Sequence, residues 1–290
     1  MFDFISENFI LCITAVYVVL SFVLSVKLSR FDAKNIDTYG KSFMEMPFKV
    51  RVKILFRGKM LKTVYAITVL IFITVLICRL KELVGLFAAT ALAIVCSLLL
   101  AFLFVILILV ISAFLRRIIS VNSASLNVMF SSVILIIAMI GVNMMLSDGL
   151  KTSEFLLMTV CLACCYVKML IVLILVLKEA NDEESSLTLK NIWKSAILTI
   201  VLFLFTLTLM SGCCYLHNPA SFYGVDYGLF DMLYYTVITF ATVGYGDITP
   251  VGFSAKVVSV LTVFTSVLCI TVLLSEILGV KKKSNNLKAK

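Results

Sequence analysis

Charge is scarce in this chain. Asp, Glu, Lys and Arg make up 14% of its 290 residues, against 62% apolar residues, and the mean hydropathy is +1.14. A water-soluble domain cannot hide that much apolar surface, so that class is excluded. Histidine is scarcer still, with His217 the only one. Asp, Glu, His and Cys do not converge as catalysis requires, so no enzyme is expected. The nine cysteines fall mostly inside apolar runs, where cysteine behaves as a small hydrophobe. Cys161, Cys164 and Cys165 have a metal-like spacing but sit mid-run, with His217 in a different segment, so zinc has little support. No basic folded domain stands outside the apolar runs to hold nucleic acid, and no Gly-rich nucleotide fingerprint follows Lys281. No cofactor is expected.

What the chain has instead is membrane-length apolar sequence. Seven runs, at 8–26, 63–78, 83–115, 126–146, 155–177, 195–216 and 255–278, lie near or above the ~20 residues a helix needs to cross a bilayer. The second is the shortest. The third is overlong, so it should tilt or extend beyond the hydrocarbon. Asp3 and Glu7 precede the first run where a signal peptide would be basic, so it reads as a retained helix. The segment 48–57 alternates basic and apolar residues in a way suited to the anionic lipid of an inner leaflet.

Between the last two long runs lies Thr242-Val243-Gly244-Tyr245-Gly246-Asp247. Gly244 and Gly246 lack a Cβ and can take backbone angles closed to other residues, which lets consecutive carbonyls point one way. The apolar stretch 230–241 before the motif is too short to span. Pro250 and Gly252 break the chain after it. The order is long helix, short half-helix, glycine strand, long helix.

That order and those six residues resemble the pore domain of the tetrameric potassium channel family, over about the last 100 residues of the chain. The resemblance implies an all-α integral membrane protein in which a helical bundle (1–180, about five transmembrane helices) precedes a two-helix pore domain (181–290). That domain would hold an outer helix 195–216, a re-entrant pore helix 230–241, a selectivity filter 242–247 and an inner helix 255–278. In the family, K⁺ is coordinated by the carbonyls matching Thr242, Val243, Gly244 and Tyr245, with the Thr242 hydroxyl closing the innermost site and Gly246 and Asp247 at the outer mouth. Thr239 matches the usual pore-helix threonine. Tyr234 and Tyr235 stand where the family often has two tryptophans, and a phenol can donate to Asp247 as an indole does. Ile238 takes the place of a buried glutamate. Ser266 occupies the position of a glycine hinge, and serine bends a helix only weakly by bonding back one turn. Ser266, Ile270 and Leu274 are the candidate gate residues, and Thr262, Thr265 and Ser266 are expected to offer hydroxyls near the cavity.

The family places the C-terminus in the cytoplasm. Seven spans then put the N-terminus outside, with twenty of the 25 Lys and Arg in cytoplasmic segments and four outside, as the positive-inside rule requires. A single filter copy implies four identical chains around one axis, in a cell membrane, with K⁺ and membrane lipid as partners. The helix before the pore carries one base, Lys168, in place of the repeated charges of a voltage sensor. The layout is therefore voltage-gated-like without a charged sensor, and weak voltage dependence at most is expected. Passive K⁺ conduction is the reading; the alternative is a channel-like subunit of a K⁺ uptake transporter.

Overall fold

The computed structural model describes residues 124–145, 149–181 and 189–288, with a few isolated positions before them; side chains are described over 129–145, 149–175 and 193–271. The expected spans 8–26, 63–78 and 83–115 lie outside the described residues, apart from those isolated positions. Numbered from the first element described, the chain forms α1 (Ala124–Met145), α2 (Thr152–Asn181), α3 (Leu189–His217), a 3-10 turn (Pro219–Ser221), β1 (Phe222–Tyr223), α4 (Leu229–Phe240), β2 (Thr249–Pro250) and α5 (Phe253–Lys288). The expected spans from residue 126 onward are all helices here, each with ends displaced by a few residues or, for α5, ten. In hydrocarbon a backbone must satisfy its own polar groups, and an unbroken helix does so.

Among the described residues the fold is all-α apart from one two-stranded ribbon, and the protein is a multi-pass membrane protein. Helices α2, α3 and α5 are long and apolar enough to cross a bilayer over Thr152–Leu175, Trp193–His217 and Phe253–Thr271. Helix α4, with 12 residues, is not.

The chain divides into two compact units, Met1–Asn143 and Met144–Lys290. Compactness thus groups α2 with the elements that follow it, whereas the expected boundary at 180 places it with the N-terminal bundle. Within the second unit α3 is the hub, packing on α2, α4 and α5, and α5 also packs on α4. On α2 the residues Met158, Leu162, Cys165, Met169 and Val172 are buried, at the three-to-four spacing of one helix face. Lipid supplies no hydrophobic drive between helices, so close packing and polar contacts hold such a bundle together. Tyr166 meets the edge of Phe203 at 5.5 Å. Cys213 lies 3.8 Å from the sulfurs of both Met144 and Met158. Gly212 permits a close approach: a Cβ there would sit 2.6 Å from Met144 Cε and 3.0 Å from Leu229 Cδ2.

The end of α3 docks on the start of α2. Leu150 N–H donates to the Leu216 carbonyl at 3.0 Å, and His217 Nδ1 lies 3.1 Å from the Leu150 carbonyl. The His217 ring stacks on Phe155 at 4.5 Å. Glu154 accepts the Lys151 N–H at 3.2 Å, using a first-turn carboxylate to meet a donor the helix leaves open. The sole histidine therefore serves a helix junction.

Candidate functional site

The site is built at the C-terminal end of α4. Val237 keeps the last ordinary helical bond, whereas the carbonyls of 238–240 have no partner four residues on, and the following strand supplies most of what is missing. Val237 O accepts from Ala241 N–H at 2.9 Å, and Thr239 O from Thr242 N–H at 3.1 Å. Ile238 O accepts twice, from Val243 N–H at 2.9 Å and Gly244 N–H at 3.3 Å. The last, Phe240 O, is met from α5: Ser266 Oγ donates to it at 2.5 Å.

These bonds orient the strand. The N–H groups of Thr242, Val243 and Gly244 all turn back toward α4. In a planar trans peptide the carbonyl points opposite to the N–H. The carbonyls of Ala241, Thr242 and Val243 therefore point away from α4, in one direction. An ordinary extended strand would alternate them. The dihedrals explain the difference: φ is +59° at Thr242, +54° at Gly244 and +82° at Gly246, with none positive at the residues between. Every second residue is left-handed, so each peptide plane is turned back into line with the one before. Open space surrounds a notional Cβ at Gly244 and Gly246, so glycine is required there by backbone angle and not by crowding within the chain. Thr242 adopts the same conformation with a side chain, at a cost of about 1–2 kcal/mol. Residues 241–247 are exposed on this single chain.

Beyond the strand, Tyr234 of α4 donates its hydroxyl to Asp247 Oδ2 at 2.7 Å. That bond holds the Asp247 carboxyl below its usual range and pushes the Tyr234 phenol up to about 12. The two candidate tyrosines diverge. Tyr235 Oη lies 2.6 Å from Ser259 Oγ on α5. Ser259 itself donates to Ala255 O at 2.7 Å, so Tyr235 is the donor in the pair. The Tyr235 ring packs edge-on against Phe222 at 5.3 Å. Tyr234 thus reaches Asp247 beyond the strand, whereas Tyr235 fastens α4 to α5. Thr239 contributes its carbonyl, as described above.

Several positioning residues escaped the sequence reading. The ribbon pairs Phe222 with Pro250 and Tyr223 with Thr249, joining the chain before α4 to the chain after the strand. Ser221 anchors it: its carbonyl accepts from Val251 N–H at 2.8 Å and Gly252 N–H at 3.0 Å. The Ser221 hydroxyl contacts the Cys214 carbonyl at 3.0 Å and also meets Asn218 O. Gly224, at φ +81°, lies so close that a Cβ would collide with the Asp247 carbonyl oxygen. Asp231, buried in the first turn of α4, accepts the N–H groups of Asp226 and Tyr227 at 2.7 Å each. The Asp231 signal, an acid at the third helix position, was readable; the register of so short a ribbon was not.

On α5 the expected cavity hydroxyls are turned inward. Thr262, Thr265 and Ser266 are fully buried. Thr262 bonds back to Val258 O at 2.9 Å and Thr265 to Leu261 O at 2.6 Å. Ser266 does not bond back along its helix but crosses to α4. The three sit on the packed face of α5, and Val263, Phe264, Val267 and Ile270 are left exposed on this chain. Leu274 lies outside the described side chains. Lys168 is buried within the protein, the facing required of an ammonium at membrane depth.

A short half-helix that ends in a strand of co-directed carbonyls, cradled between two membrane-length helices, defines a channel-type pore domain. Residues 196–280 match the family described as "Ion channel". The chain is 34% identical over 104 residues to Two-pore potassium channel 4 of Arabidopsis thaliana, an overlap of 35% of this chain and 36% of that one. This chain thus matches about a third of that relative's length. No solved structure matches. Over residues 196–280 the chain is thus similar to ion channels, and over 104 residues to a potassium channel.

Proposed function

We propose that the protein is a K⁺-selective channel, passing K⁺ passively through a pore formed by four copies of the chain. The observation that carries the reading is the row of N–H groups at Thr242, Val243 and Gly244 turned back on α4, which aims the carbonyls ahead of them to the open side. Four such strands about an axis would stack oxygens in place of the hydration shell of K⁺, at Thr242, Val243, Gly244 and Tyr245, with Gly246 closing the file. Tyr234 and Asp247 brace the outer end of the filter, Thr239 meets its base through the carbonyl, and Tyr235 supports it indirectly by fastening α4 to α5. Ile270 and Leu274 would line the inner path, with Ser266 controlling it from the packed side. One filter strand cannot enclose an ion, hence the homotetramer. The C-terminus is cytoplasmic and the N-terminus external, on the distribution of Lys and Arg.

Flux through the full chain reconstituted in lipid tests this. A reversal potential that follows the K⁺ gradient is expected; equal Na⁺ and K⁺ permeability rejects it, and saturable, energy-coupled uptake assigns the chain to transport. Gly244→Ala, which forces a side chain into left-handed backbone at about 1–2 kcal/mol per chain, should reduce K⁺ current at least tenfold while leaving assembly intact by size-exclusion mass.

A further inference from the structure

We infer that Ser266 is a positioning residue for the filter, with its hydroxyl clamping the C-terminal end of α4 to the middle of α5. The bonds at that end give the reason. Carbonyls 237, 238 and 239 are met by N–H groups of residues 241–244, so those bonds are internal to the helix-strand junction and can move with it. Phe240 O is different. Its partner comes from another element, 26 residues away in sequence. This bond connects the junction that carries the filter to the inner helix at a fixed height.

Neighbouring residues hold Ser266 in place. It is fully buried, so its hydroxyl is shielded from competing water. The residue before it, Thr265, is also fully buried and lies 2.7 Å from the hydroxyl of Tyr166 on α2. The Thr265 hydroxyl already donates to Leu261 O, so Tyr166 supplies the proton of that pair. Two adjacent residues of α5 are thus bonded in two directions, one to α2 and one to α4, which fixes the rotation of α5 about its own axis at this height. A serine that bonded back along its own helix would loosen α5. This serine instead ties the helix to the base of the filter, so a movement of α5 at this level must either drag Phe240 or break the bond.

The electrical consequences rest on the conduction reading, whereas the clamp itself does not. The full chain in lipid nanodiscs, as wild type and as Ser266→Ala, Ser266→Gly and Ser266→Thr, is examined by hydrogen exchange at the amides of Thr242, Val243 and Gly244. Loss of the hydroxyl in either small variant should speed exchange there three- to tenfold, the factor expected for one buried hydrogen bond. Ser266→Thr, which keeps a hydroxyl, should restore the wild-type rate to within about twofold. The same variants are recorded as single channels: open bursts should shorten by a similar factor in Ser266→Ala and recover in Ser266→Thr. Exchange unchanged in both small variants overturns the clamp. So does a Ser266→Thr variant as fast as alanine, because the effect would then be one of packing. A wild type that conducts Na⁺ as well as K⁺ would reject the proposed function and leave the exchange result to decide the clamp.

Discussion

Asp247 and Tyr234 show how one hydrogen bond sets the charge of the carboxyl that follows the glycine strand. The bond favours the ionised carboxylate and the protonated phenol together. A carboxyl held low keeps its charge at neutral pH, and the brace it supports is lost only as pH falls through that lowered value. A phenol raised to about 12 keeps its proton until pH rises through that value. The window between them covers all physiological pH. Tyr234→Phe removes the donor, so Asp247 should titrate nearer the ordinary carboxylate range. Recording K⁺ current against pH on the Asp247 side should show acid inhibition beginning at a higher pH in the variant. An identical acid limb in both proteins would detach Tyr234 from the carboxylate. Gly224 provides a second residue-scale test. Its positive φ and its approach to the Asp247 carbonyl leave no room for a methyl group, so Gly224→Ala should displace the outer mouth. The expected result is a K⁺/Na⁺ permeability ratio lowered several-fold, with the protein still assembling.

Among the elements, the ties to α5 differ in reach. Tyr235 and Ser259 join α4 to the first third of α5, and Ser266 joins the end of α4 to its middle. Tyr166 joins α2 to α5 at Thr265. Helix α2 therefore has a polar grip on the helix expected to line the pore. Tyr166→Phe keeps the ring packed on Phe203 and removes only the hydroxyl. It should destabilise the α2–α5 contact by about 0.6 kcal/mol, the average found for such bonds in membranes. The open probability of single channels should then shift by about threefold, and an unchanged value would mean that α2 does not act on the pore through this residue. The element order itself was legible. Run length and hydropathy placed α2 to α5, and shortness marked α4 as a helix that does not span. The division between Tyr234 and Tyr235 was not legible, because adjacent residues on a helix point about 100° apart and only the packing decides which faces the filter.

At the scale of the molecule, the proposed pore requires four copies of the strand about one axis. Mass measurement and particle symmetry in lipid should give four chains with residues 242–246 around a shared axis; any other number, or a strand away from the axis, removes the pore. Lys168 bears on voltage. One buried charge per chain supplies at most about 2.3 kcal/mol per 100 mV, and only if it crosses the whole field. Conductance–voltage curves should accordingly be shallow, and Lys168→Met should not steepen them. Activation equivalent to several gating charges per chain would contradict this.

The residues alone determined where the helices run, which of them is too short to cross, and where glycine allows carbonyls to align. These are matters of hydropathy, length and local sterics, which act over neighbouring positions. Tertiary structure decided that Ser266 meets Phe240 and not its own helix, that the hydroxyls of Thr262 and Thr265 turn inward, and that His217 serves a helix junction. Each depends on partners far apart in the chain, or on which face of a helix packing covers. In a membrane, where apolar contact with lipid and with protein is nearly equivalent, apolar pattern carries little information about which face that will be.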